Sequence, residues 1–269
     1  MSNIVNILTF HHIHENRDSL SIPPSLFENT LKEISKKYTF ISYQDFMDSI
    51  FLEKKLPKKS ILISLDDGYL DNYIYAYPIL KKLNIPAVIF IITNNIISSS
   101  TCRDKMPYFK THKKLEKTPD NNLFINTSEI EDMTKSNLIE AESHTQSHFT
   151  CKNKNYEKVS NELKKSFDFI RKKTKEKKHY GFCWPRGAFD KVSLEAIKNS
   201  SYEFAFSTKD GAFHKGDDLY TIKRVDCSSW NGNEKKYIAR VKRKLAIYSN
   251  PFISKLYSDF REYRIKKRK

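Results

Sequence analysis

Two stretches of the chain hold the residue types of a hydrolytic metal site. "SLDDGY" places Asp66 and Asp67 before Gly68, and "ESHTQSH" places His144 and His148 four residues apart. Either pair alone is ordinary, since Asp and Gly are turn residues. Together they offer two imidazoles and a carboxylate. That is a three-ligand set with positions left for water and substrate, as in catalytic sites for Zn²⁺ or another divalent ion. Two bare carboxylates side by side would repel until one took a proton, and a cation removes that conflict. The ion lowers the pKa of water toward about 7, and the spare carboxylate can accept the proton released.

These residues need strands to carry them. "SILISLDDG" is a nearly continuous apolar run ending in polar residues, the pattern of a buried parallel strand. "LIEAES" is a strand candidate leading into the histidines, and "NIVNILTF" ends at His11 and His12. "IPAVIFIIT", "HYGFCWPRG" and "FAFST" read as further strands. Helical spacing separates them, in "SLFENTLKEISKKY" (with Ser25 and Glu28 as a capping box), "LDNYIYAYPILKKLN", "EIEDMTKSN" (boxed by Ser128 and Glu131), "YEKVSNELKKSFDFIRKKTK" and "SLEAIKNSSY". Residues 98–123 are polar, lack a period and read as an inserted loop. Alternating strands and helices predict an α/β fold with a parallel sheet or barrel, whose chemistry sits at the carboxyl ends of the strands.

With those residues in place, the chain resembles the polysaccharide deacetylases, the NodB-homology carbohydrate esterases. "SLDDGY" is similar to their T-F-D-D-G motif, "SHTQSH" to H-[ST]-x-x-H, and "WPRG" to the P-Y-G part of the third motif. "TFHHI" is similar to the Y-H-x-[IV] start of the poly-N-acetylglucosamine deacetylase branch. The resemblance spans residues 61–230 and, more loosely, the first strand. It implies a distorted (β/α) barrel and removal of an N-acetyl group from an amino sugar of a surface glycan or its precursor. By motif match Asp66 is the general base, and Asp67, His144 and His148 hold the metal, zinc first and cobalt, nickel or iron as alternatives. The Arg186 backbone N–H helps hold the oxyanion, and His11 enters the site as the acid while His12 points the other way. Tyr69 and Trp184, inside the first and third motifs, are the substrate contacts. Cys183 lies where many members carry arginine, so no partner for the base is visible. There is no D-x-x-D-W or late L-x-H motif, which leaves His214 as the other candidate acid.

Bulk properties narrow the alternatives. The chain has 269 residues, 39% of them hydrophobic, and only 6 glycines, with no Gly-rich nucleotide loop. Its net charge is +16, which suits an acidic glycan, an anionic membrane or nucleic acid. No nucleic-acid-binding signature is present, so that partner is not expected. The four scattered cysteines are expected to be reduced thiols. The start lacks a basic n-region, which predicts a cytoplasmic protein. Residues 1–232 are expected to form the catalytic domain, and residues 233–269 a basic helical extension able to meet the inner face of a membrane. The rival readings are an O-acetyl or non-sugar amide hydrolase on the same scaffold, or a non-catalytic glycan-binding protein.

Overall fold

Seven short apolar segments lie side by side, all parallel, in the computed structural model, which describes residues 4–16, 18–250, 252–254 and 256–257. They are β1 (Ile4–Phe10), β2 (Ser60–Leu65), β3 (Ala87–Ile91), β4 (Ile139–Ser143), β5 (Gly181–Cys183), β6 (Phe204–Asp210) and β7 (Ile222–Asp226). β1 pairs with β2 on one edge and β7 on the other, so the sheet closes into a barrel. At the amino end the wall is extended by Thr39–Phe40 beside β2 and by Phe213–His214, antiparallel to β1. Ile4 pairs with His214 there. His214 is thus at the opposite end of the barrel from His11 and is not an acid for this site.

The period of two along each strand sorts side chains into two cores. Val5, Ile7, Leu62, Val88, Phe90, Cys183, Phe204, Phe206 and Ile222 fill the interior, closed below by α2 (Tyr43–Phe51). Leu8, Phe10, Ile61, Ile63, Leu65, Ile89, Ile91 and Phe182 face outward to the helices. Those are α1 (Pro24–Ser35), α3 (Tyr77–Leu83, entered through a π-turn at Asn72–Ala76), α5 (Thr127–Lys135), α6 (Tyr156–Lys173), α7 (Lys191–Lys198) and α8 (Glu234–Tyr248). α4 (His112–Lys117) lies inside the segment expected to be a loop.

Local details differ from the sequence expectations. α1 begins at Pro24 with no side-chain cap, because the capping position is Pro23, whose side chain has no acceptor. α5 is boxed by Asn126 and Glu129 rather than by Ser128 and Glu131. β7 was not foreseen. α8 does not stand off as a free extension: Tyr237, Val241, Leu245 and Tyr248 are buried in the outer core, and the Tyr237 hydroxyl donates to the Cys227 carbonyl at 2.6 Å. Pro251 and residues 258–269 lie outside the described residues.

Candidate active site

Leu62, Ser64 and Asp66 continue one inward-facing row of β2, so the strand delivers Asp66 into the top of the barrel. Asp67 then turns, with φ of +74°, and Gly68 follows at +75°. A Cβ on Gly68 would lie 2.9 Å from the Ile91 side chain, so both conformation and space require glycine. The strained turn brings two adjacent carboxylates into one cavity with different partners.

Asp67 faces the histidines. Its Oδ1 is 3.3 Å from His144 Nε2 and 3.4 Å from His148 Nε2. The His144 Nδ1–H donates to the Cys183 carbonyl at 2.8 Å, which turns Nε2 toward Asp67. Burial pushes the His148 imidazole down to about 4, so it is a neutral donor at pH 7. The Asp67 carboxylate is 1% exposed, and neither oxygen has a hydrogen-bond partner among the described residues. Burial opposes its charge, yet the adjacent His148 and His144 hold it well below the usual carboxylate range. An orphaned buried carboxylate facing two imidazole nitrogens is a donor set that fits a divalent ion.

Asp66 is held differently. Arg224 on β7 forks onto it, Nη1 to Oδ1 at 2.7 Å and Nη2 to Oδ2 at 2.8 Å. Burial alone would raise this carboxyl, but the guanidinium outweighs it and the net shift is downward. Arg224 is itself fixed by the Ser207 carbonyl at 2.9 Å. The partner missing at Cys183 is therefore supplied from the last strand. Cys183 Sγ sits 3.8 Å from Asp66 Oδ2.

His11 continues the inward row Val5, Ile7, Thr9. Its Nε2 is 3.9 Å from Asp66 Oδ2, and its Nδ1 lies 2.7 Å from the Ser228 hydroxyl. His12, one residue on, faces outward and bonds Asp71 at 2.6 Å. His112 of α4 also reaches the cavity, with Nδ1 3.0 Å from the Tyr69 hydroxyl and 4.0 Å from Asp67 Oδ2.

The remaining candidates divide. Arg186 occupies the turn over the site with φ of +57°. Its side chain bonds Glu116 of α4 at 2.9 Å and the His148 carbonyl at 3.1 Å. Gly187 must stay glycine, since a Cβ there would meet Thr208 Oγ1 at 1.9 Å. Trp184 is not a substrate contact. It is fully buried on the helix side, its indole N–H donating to the Tyr220 carbonyl at 2.9 Å. The parity that turns Cys183 toward Asp66 turns Trp184 away. Tyr69 is 2% exposed and stacked on His12, so it forms the wall of the site rather than a free docking surface.

Sequence reasoning missed Arg224 and His112. Arg224 sits in "IKRVD", too short and too charged to read as a strand, and His112 in a stretch without a period.

The comparisons with known proteins agree with this fold. The poly-beta-1,6-N-acetyl-D-glucosamine N-deacetylase of Staphylococcus aureus is 28% identical over 233 residues, covering 82% of this chain and 72% of that protein. Among solved structures, Streptococcus pyogenes deacetylase PplD, in complex with acetate, aligns with a TM-score of 0.72 at 20% identity, covering 93% of this chain and 100% of that one. IcaB from Ammonifex degensii aligns with a TM-score of 0.70 at 18% identity, over 90% and 97% of the two chains. Both share the barrel. The polysaccharide deacetylase profile matches residues 53–205, more than half of the sequence, and the chain belongs to the polysaccharide deacetylase family of N-acetyl-hydrolysing enzymes.

Proposed function

We propose that this chain is a divalent-metal-dependent hydrolase that removes N-acetyl groups from an amino sugar of a surface glycan or its precursor. The observation that carries the reading is the buried, unpartnered Asp67 carboxylate facing His144 and His148 beside an Arg224-held Asp66. An ion held by Asp67, His144 and His148, zinc by its ligand set, supplies Lewis acidity. Asp66 takes the proton of the attacking water as the C–O bond forms, and Arg224 keeps it ionised and in plane. His11 delivers a proton to the leaving nitrogen as the C–N bond breaks, giving acetate and a free amine. Ser228 at its Nδ1 fixes the ring. The Arg186 backbone N–H, presented by its left-handed turn, steadies the oxyanion.

The likeness to the staphylococcal enzyme makes β-1,6-linked N-acetylglucosamine the first substrate to try. No helix among the described residues is long and apolar enough to cross a membrane. We assign the enzyme to the cytoplasmic face of the membrane. All four cysteines are free thiols, which suits a reducing compartment. Phe252 and Leu256, 82% and 73% exposed beside a basic tail, suit an anionic bilayer.

The test is acetate release by zinc-loaded protein from a panel of N-acetylhexosamine oligomers, O-acetylated sugars and simple amides. Release from the N-acetyl oligomers that disappears in Asp66→Asn supports the reading. Turnover of the O-acetyl esters alone would replace it with the esterase alternative.

A further inference from the structure

The sequence "HHIHEN" contains two more histidines than the active site uses. After His11 the chain is extended, and His12–Ile13 pairs in parallel with Ser21–Ile22. The backbone is pinned on both sides of Ile13, His12 N to the Leu20 carbonyl and His14 N to the Ile22 carbonyl, each at 3.1 Å. Residues two apart in an extended segment share a face, so His12 and His14 project together, with ring centroids 5.2 Å apart. Asp71, four residues beyond Asp67, meets them there.

We propose that His12, His14 and Asp71 form a second divalent transition-metal site, separate from the catalytic one. One donor atom from each residue lies within 4.8 Å of the other two. All three side chains are buried, at 2%, 4% and 1% exposure. Both ring nitrogens of His14 and Nε2 of His12 have no hydrogen-bond partner among the described residues. Buried polar atoms left in that state are costly, and a cation would take one nitrogen from each ring together with the carboxylate. Asp71 already bonds His12 Nδ1 at 2.6 Å and the Ile13 N–H at 3.1 Å, so the donors are held before an ion arrives. Each carboxylate oxygen keeps a second lone pair.

Two imidazoles and one carboxylate suit Zn²⁺, Co²⁺ or Ni²⁺ rather than Ca²⁺ or Mg²⁺. The ion's role is structural. It would tie the segment after β1 to the turn after β2, and the same turn fixes His11 through Asn72, whose side chain donates to the His11 carbonyl at 2.7 Å. Phe109 lies edge-on to His14 at 4.7 Å, and Tyr69 stacks on His12 at 3.7 Å. The inference stands independently of the substrate assigned to the enzyme.

The experiment counts metal per chain. Chelator-stripped protein is loaded with Zn²⁺, freed of excess by gel filtration, and measured by elemental analysis. The expectation is two ions in the unaltered chain, one in His14→Ala, one in His144→Ala/His148→Ala, and none in the triple variant. His14→Gln, closer in volume, guards against a folding defect, with circular dichroism confirming native structure. Loading with Co²⁺ gives a second readout, since the visible absorption of His14→Gln should match that of a single site. One ion in the unaltered chain, lost in His144→Ala/His148→Ala and unaffected by either His14 change, would overturn the proposal. Two ions persisting in both His14 variants would overturn it equally.

Discussion

Arg224→Met tests the feature of the site that the motifs did not announce. Asp66 and Arg224 are 2% and 3% exposed and joined by two hydrogen bonds of 2.7 and 2.8 Å. Methionine keeps much of the volume and removes the charge. Breaking such a buried pair from one side costs about 3–5 kcal/mol, because the remaining carboxylate is left unpaired. In the native chain the Asp66 pKa lies below its ordinary 3.8. Its contribution to stability is therefore present above the unfolded value and is lost as pH falls through the folded one. Without Arg224, burial dominates and raises the carboxyl, by as much as ~3–5 units at a fully buried position. The sign then reverses, and the variant loses stability as pH rises above about 4. Urea unfolding at pH 5 and pH 8 reads this directly. The variant should be weaker at pH 8 than at pH 5, and Asp66→Asn in the same chain should recover most of the loss. In acetate release, the acid limb of kcat/KM should move to higher pH, since Asp66 must be ionised to accept a proton. A loss below about 1 kcal/mol, the scale of an exposed ion pair, with an unmoved acid limb, would show that Arg224 does not hold the base.

Chelation should abolish turnover and Zn²⁺ should restore it. Asp67→Asn should lose catalytic metal, whereas Asp66→Asn should keep it and lower kcat by ~10²-fold or more; metal lost only in Asp66→Asn would reverse the two roles. His11→Ala should lower kcat with little change in unfolding midpoint, while His12→Ala, which breaks a buried bond to Asp71, should act mainly on stability; equal small effects on turnover would reduce His11 to a packing residue. Glu142, fully buried beneath the site, has its pKa raised to about 7, chiefly by burial. The folded state keeps a proton that the unfolded chain releases near pH 4.5, so stability should fall between pH 4.5 and 7 by about 3 kcal/mol. Glu142→Gln, which can still accept from the Gly181 N–H, should flatten that dependence in urea midpoints, and an unchanged slope would assign it to other groups. The full chain should co-sediment with anionic vesicles and release them in salt, and truncation after Asn250 should abolish this while sparing α8. Truncated protein that still binds would place the contact elsewhere.

The candidate site was legible in the sequence where local rules suffice. Asp66 and Asp67 follow an apolar run long enough to be a buried strand, His144 and His148 follow the strand candidate "LIEAES", and parallel strands present their carboxyl ends to one side of a fold. The period of two also separates His11 from His12. The same period, counted from Cys183, could have turned Trp184 outward, but only once the face of Cys183 was known. That face is set by Asp66 on a strand more than a hundred residues earlier.

What the tertiary structure alone decided were the partners. Arg224 carries no motif, because a guanidinium can reach Asp66 from any neighbouring strand and the choice depends on how the barrel closes. β7 is five residues with two basic side chains, and its identity as a strand comes from pairing with β1 and β6 rather than from its own pattern. His112 reaches the cavity because the segment around it folds back over Tyr69. The amphipathic pattern of α8 was plain, yet a pattern states only that one face leaves water. Whether it meets a bilayer or the protein's own core depends on the surface that lies within reach, and here that surface is the outside of the barrel.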